Sequence, residues 1–132
     1  MARTDPTTAA DLVAEARATI VEIAPSALGA GHGETALIDV REPAEFASGH
    51  LAGAINIPRG VLEFQVDAHP AIANVTAPAL AHRQRPLVLY CRTGGRAALA
   101  AASLQRLGFT NVRSLAGGIE AWIAAGRPVT QD

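Results

Sequence analysis

The only cysteine of the chain, Cys91, sits in the run Tyr90-Cys91-Arg92-Thr93-Gly94-Gly95-Arg96. An apolar stretch, Leu87-Val88-Leu89, precedes it, and an alanine-rich helical pattern begins near Ala97. A thiol at a strand-to-helix turn meets backbone N–H groups and a helix dipole that favours negative charge. Arg92 and Arg96 add positive charge nearby. Such surroundings lower a thiol's pKa and make it a nucleophile. None of the residues from Arg92 to Arg96 is proline, so each offers an N–H donor. Gly94 and Gly95 allow positive φ, which lets these amides curl toward one centre as an anion nest. The expected anion is the Cys91 thiolate or a sulfur atom carried on it. Thr93 offers a hydroxyl donor, and Arg96 closes the loop. Nucleophilic attack by Cys91 also requires an opening from the thiol to water.

Cys91 and Arg96 are separated by four residues. Cysteine phosphatases close their loop one residue later, and the shorter cradle suits a sulfur atom better than a tetrahedral phosphate. A buried inert cysteine is the bland alternative. The Gly-Gly turn and the flanking arginines argue against it.

The surrounding pattern reads as alternating helices and strands. Thr7 to Arg17 is expected to be helical, capped by Thr7, Thr8 or Asp11. The β-branched run Thr19 to Ile23 reads as either an extension of this helix or a short strand, and Pro25 suits the first turn of another short helix. Gly29 to Gly33 breaks it; this glycine cluster lacks the spacing of a dinucleotide fingerprint. Strands are expected at Thr35–Val40, Ala54–Ile57, Leu87–Tyr90 and Asn111–Leu115. Helices are expected at Glu42–Phe46, closed by Gly49, and at Ala97–Leu107, closed by Gly108. A last helix follows Gly117-Gly118, with Ile119, Trp122 and Ile123 on one face. Leu62 to Ala81 reads loosely as helix and loop. Short apolar strands joined by helices imply a parallel sheet covered on both faces, with the site beyond the strands' carboxyl ends. Cys91, Asp39 and Arg41 all fall at that end. Asp39 and Arg41 are expected to pair and brace the loop, with a direct substrate role the lesser reading.

The chain has 132 residues, 49% hydrophobic and 17% charged, which fits one folded domain. The net charge of −1 shows no basic stripe for nucleic acid. No run is long and apolar enough to span a bilayer, and the N-terminus lacks an apolar signal core, so the cytoplasm is the expected compartment. His32, His69 and His82 lack ligand spacing, so no metal is expected. His50 is expected to bond a nearby backbone group. Arg59, after a strand end, faces either the pocket or the surface. Glu42 and Glu45 read as capping or surface charges rather than an acid–base pair.

Three stretches together resemble the rhodanese family. The first is Leu37-Ile38-Asp39-Val40-Arg41-Glu42-Pro43-Ala44-Glu45-Phe46 followed by Gly49-His50-Leu51-Ala52-Gly53-Ala54-Ile55-Asn56-Ile57-Pro58. The second is the Cys91–Arg96 loop, and the third is Gly117-Gly118-Ile119-Glu120-Ala121-Trp122. The likeness runs from about residue 20 to 129, which divides the chain into an N-terminal helix, 1–18, and a rhodanese-like domain, 19–132. It implies a three-layer α/β fold with a central parallel sheet of four to five short strands. It also implies a single-domain sulfurtransferase of the thiosulfate type. Cys91 would take the outer sulfur of a donor such as thiosulfate, release sulfite, and pass the persulfide sulfur to cyanide, a thiol or a protein. Arg92, Thr93, Gly94, Gly95 and Arg96 would bind the donor, with Asp39 and Arg41 in support. No cofactor is implied. A lone cysteine leaves no internal resolving thiol, so the sulfur must go to an external acceptor. Two other readings stand beside this one: a non-enzymatic sulfur-relay or scaffold module, and a cysteine-dependent phosphatase or arsenate reductase.

Overall fold

Five short strands carry the architecture: β1 (Val21–Ile23), β2 (Ala36–Asp39), β3 (Ile55–Asn56), β4 (Leu87–Tyr90) and β5 (Val112–Leu115). The computed structural model describes residues 7–28 and 34–132; the glycine break expected at 29–33 lies outside the described residues. The strands form one parallel sheet in the order β1-β5-β4-β2-β3. The most buried strand, β4, is central, and all four of its residues are buried. A continuous apolar run without polar alternation is what a strand covered on both faces requires.

The helices are α1 (Ala9–Arg17), α2 (Pro25–Leu28), α3 (Pro43–Ser48), α4 (Gly95–Arg106) and α5 (Gly118–Ala124). Thr8 caps α1 reciprocally with Asp11, while Pro25 and Pro43 open α2 and α3. One face of the sheet buries Ala97, Ala100, Ala101 and Leu104 of α4 against Leu87 and Leu89. Alanines at these positions let α4 approach the strands closely, and α1 packs against α4. The other face buries Leu28, Ile119 and Trp122 against Val88 and Tyr90. Side chains alternate along β4, so Cys91, one residue past its end, falls on the α4 side.

Several boundaries differ from the sequence expectation. The strand expected at Ala54–Ile57 shrinks to a residue pair, because only Ile38 and Asp39 of β2 pair with it. Ile123 is 52% exposed, so the face of α5 is carried by Ile119 and Trp122 alone. A short helix leaves an i+4 position at its last turn without sheet beneath it. The segment from Arg59 to Leu80 folds as four single 3₁₀ turns. Two begin at prolines, and the segment plugs the α4 face of the core with Leu62, Val66 and Leu80.

Candidate active site

The loop between β4 and α4 folds around the cysteine sulfur. Cys91 Sγ accepts from the Gly94 N–H at 3.1 Å and the Ala97 N–H at 3.4 Å. Gly94 is the residue before α4 and has φ +115°, a conformation open to glycine at little cost. The amides of Arg92, Thr93, Gly95 and Arg96 make no hydrogen bond with the described residues. The ring of donors expected from sequence is therefore only partly spent on the sulfur. Ala97, which lies outside the expected set, supplies one of the two bonds. The Thr93 hydroxyl has no partner among the described residues, and Thr93 is exposed.

The sulfur is not open to water. Cys91 is 1% exposed, which corrects the expectation of an open thiol. Its place on the α4 side of β4 puts it under the first turn of that helix, inside the same cluster as Leu89 and Ala97.

Behind the loop, α5 holds it in place. Ile119 N–H donates to Cys91 O at 2.9 Å and Glu120 N–H to Arg92 O at 3.1 Å. Gly118 has φ +62°, and a Cβ there would sit 2.5 Å from both carbonyl oxygens. Only glycine permits this close approach, which is the physical content of the Gly117-Gly118 signature.

Arg92 and Arg96, expected to bind an anionic donor, are both paired with carboxylates. Arg96 meets Glu45 of α3 through two bonds, at 2.7 and 3.0 Å. Those bonds hold the Glu45 carboxyl down at about 2 and the Arg96 guanidinium above its ordinary value. Arg92 Nε meets Glu120 at 2.7 Å on the surface, where Arg92 is 68% exposed. Glu45 also accepts from Glu42 N, so the capping role expected for it coexists with the ion pair. A cleft of about 330 Å³ lies beside these pairs, lined by Arg41, Glu45, Gly49, Arg92, Ile119 and Glu120 among others.

Asp39 and Arg41 lie at the end of β2 and form a sealed pair. Arg41 Nε and Nη2 meet the Asp39 carboxylate at 3.0 and 2.7 Å, and Nη2 also donates to Gly49 O at 2.7 Å. Burial alone would lower the Arg41 guanidinium, but the hydrogen bonds and charge of Asp39 outweigh it and hold it above its ordinary value. Asn56 Nδ2 donates to Asp39 O and Arg41 O, tying β3 to this turn. Tyr90, next to Cys91, accepts from Leu51 N–H at 3.1 Å, and its ring lies 5.9 Å from the Arg41 guanidinium. Burial pushes the Tyr90 hydroxyl far up, so it stays neutral. The His50 ring nitrogens sit 2.9 Å from Phe46 O and 2.7 Å from Asp132 O. Arg59 turns to Glu63 and Ser103 on the α4 flank. Among the described residues no cluster of side chains could hold a metal. Among the described residues no helix is long and apolar enough to cross a membrane.

Sequence reasoning missed Glu45 and Glu120 as partners of the loop arginines, and Asn56 as a brace. Each pairing joins elements far apart in the chain, and no local pattern marks it.

The molecule is a parallel α/β domain whose one cysteine lies beyond the carboxyl end of the central strand, its sulfur met by two backbone amides. The family model of the rhodanese-like domain matches residues 25–125, and the chain belongs to the rhodanese family. It is 34% identical to thiosulfate sulfurtransferase 16, chloroplastic, of Arabidopsis thaliana over 111 residues, 82% of this chain and 88% of that one. It is 33% identical to a sulfurtransferase of Allochromatium vinosum over 93 residues, 70% of this chain and 76% of the relative. Among solved structures, a protein of unknown function from Rhodopseudomonas palustris, described as a possible tyrosine phosphatase, superposes with a TM-score of 0.85 at 30% identity. That match covers 98% of this chain and 99% of the other.

Proposed function

We propose that the protein is a thiosulfate-type sulfurtransferase that works through a persulfide on Cys91. The Cys91 thiolate attacks the outer sulfur of the donor. The new S–S bond forms as the donor's own S–S bond breaks, and the bonding pair leaves with sulfite. An acceptor, such as cyanide, a small thiol or a protein thiol, then attacks the carried sulfur, and the electron pair returns to Cys91 Sγ. No redox partner or cofactor is needed.

The observation that carries this reading is the division of labour among the loop amides. Two N–H groups meet Sγ, and the loop's four other amides, those of Arg92, Thr93, Gly95 and Arg96, make no hydrogen bond with the described residues. A sulfur atom bound about 2 Å from Sγ is within reach of such donors, and N–H bonds to an anionic sulfur are of the strong, charge-assisted kind. Burial of Cys91 adds a requirement: residues around the loop must yield before a donor reaches the sulfur. Residues 19–132 hold every group used in this scheme. The cytoplasm is the proposed compartment, since the cycle needs a thiol that is kept reduced.

The test is sulfite release from thiosulfate with cyanide as acceptor. Steady turnover by the wild type and none by Cys91→Ser is the expected result; equal rates for both would end the proposal.

One observation favours a second reading, the possible phosphatase description of the Rhodopseudomonas palustris protein. Four residues between Cys91 and Arg96 make a tight loop for a tetrahedral phosphate, and Arg96 is engaged with Glu45. Hydrolysis of an aryl phosphate by the wild type, absent in Cys91→Ser, would revive it.

A further inference from the structure

An anionic donor needs a cation at the loop, and the two arginines inside the loop are occupied. Arg96 is held by Glu45 through two short bonds, and Arg92 by Glu120 at 2.7 Å. A third guanidinium arrives from α1, outside the residues that match the family model. Arg17, in the last turn of α1, puts Nη2 3.1 Å from the position a Cβ on Gly94 would take. Gly94 is the residue whose N–H bonds Cys91 Sγ. Its neighbours Thr93 and Gly95 carry amides with no partner among the described residues. The nearby Val13 side chain, 3.6 Å from the corresponding position on Gly95, seats α1 against the start of α4.

Arg17 is also the loosest-held of the three. Its Nε lies 3.6 Å from Glu22, beyond hydrogen-bond distance, and its side chain is 44% exposed. Exposed pairs of this kind are worth little, about 0–1 kcal/mol, so redirecting Arg17 to an anion costs little. Redirecting Arg96 would break a two-pronged, charge-assisted contact. Glycine at position 94 serves this arrangement twice: it accepts the positive φ, and it leaves room for the guanidinium.

We propose that Arg17 is a specificity residue for the donor half-reaction, binding the oxyanion end of an anionic sulfur donor while its outer sulfur meets Cys91. This inference rests on the sulfurtransferase reading above. The helix that precedes the family's core is thereby part of the site rather than an ornament. A planar guanidinium matches two oxygens of a sulfonate-like group, which a lone ammonium does not.

The experiment compares wild type, Arg17→Gln and Arg17→Lys with two donors, thiosulfate and an uncharged organic trisulfide, at fixed cyanide. Arg17→Gln should raise the thiosulfate KM about ten-fold, the loss of one charge-assisted contact, with kcat within about two-fold. Its KM for the trisulfide and its thermal midpoint should match the wild type. Arg17→Lys should recover part of the thiosulfate KM. The thiosulfate KM of the wild type should rise more steeply with salt than that of Arg17→Gln. A wild-type thiosulfate KM in Arg17→Gln, or an equal loss with both donors, overturns the role of Arg17 and leaves the sulfurtransferase reading standing. A wild-type protein that takes sulfur from neither donor overturns both.

Discussion

Two turns at the carboxyl edge of the sheet, one after β2 and one after β4, are built on opposite plans. In the β2 turn every charge is spent internally: Asp39 is fully buried, Arg41 is 5% exposed, and the two are joined by several hydrogen bonds. In the β4 turn the donors outnumber the bonds, since only two of the loop's N–H groups meet Cys91 Sγ. The first turn is a brace whose buried charges are paired with each other. The second leaves several amides unspent beside the two that meet the sulfur, and α5 ties its start through Cys91 O and Arg92 O. Reactive capacity resides where polar groups are organised but unsatisfied, and the satisfied neighbours make that organisation affordable.

Substitutions can break this contrast from either side. Cys91→Ser should have the largest effect, abolishing sulfur transfer while leaving the thermal midpoint near wild type, as read by sulfite release and calorimetry. Asp39→Asn follows. It leaves the buried Arg41 guanidinium without its counter-charge, which should cost about 3–5 kcal/mol of unfolding free energy in denaturant titration. Gly118→Ala comes next: the added methyl would meet Cys91 O and Arg92 O at 2.5 Å. It should cost about 1–3 kcal/mol through strain and clash and lower transfer activity by displacing the loop. A Gly118→Ala protein with normal activity would show that α5 does not position the loop.

Glu45→Gln should have the smallest effect on stability. The carboxyl is held at about 2 in the folded protein against an ordinary 4.5. A depressed carboxylate adds stability that is present above its unfolded pKa and is lost as pH falls toward the folded one. Stability should therefore drop between about pH 4.5 and 2 in the wild type. The pair is a third exposed, so its share of that drop should be within about 1 kcal/mol. Glu45→Gln should lack that share, and an identical acid profile in the two proteins would remove the pair from the account.

The readable parts of the chain were those where local pattern and tertiary role agree. The apolar run of β4, the single cysteine, Gly94-Gly95 and the alanine face of α4 all point to one strand-turn-helix unit, and the structure has it. The three family stretches likewise fall at β2–β3, the Cys91 loop and the start of α5. The segment from Leu62 to Ala81 was opaque because its 3₁₀ turns have no long period. Only scattered residues, Leu62, Val66 and Leu80, are fixed by burial in the core. Within the site, residue types were legible and their charge state was not. Arg96 read in sequence as a donor-binding cation, and its partner Glu45 lies 51 residues away. The burial of Cys91 was hidden for the same reason, since it depends on how closely an alanine-faced helix seats against β4.

The central claim is that Cys91 carries a transferable sulfur, and mass spectrometry of the intact protein after thiosulfate treatment tests it most directly. The expected result is a gain of one sulfur atom on the wild type, localised to Cys91, removed by cyanide and absent from Cys91→Ser. An unmodified Cys91 in folded protein under saturating thiosulfate would contradict the account.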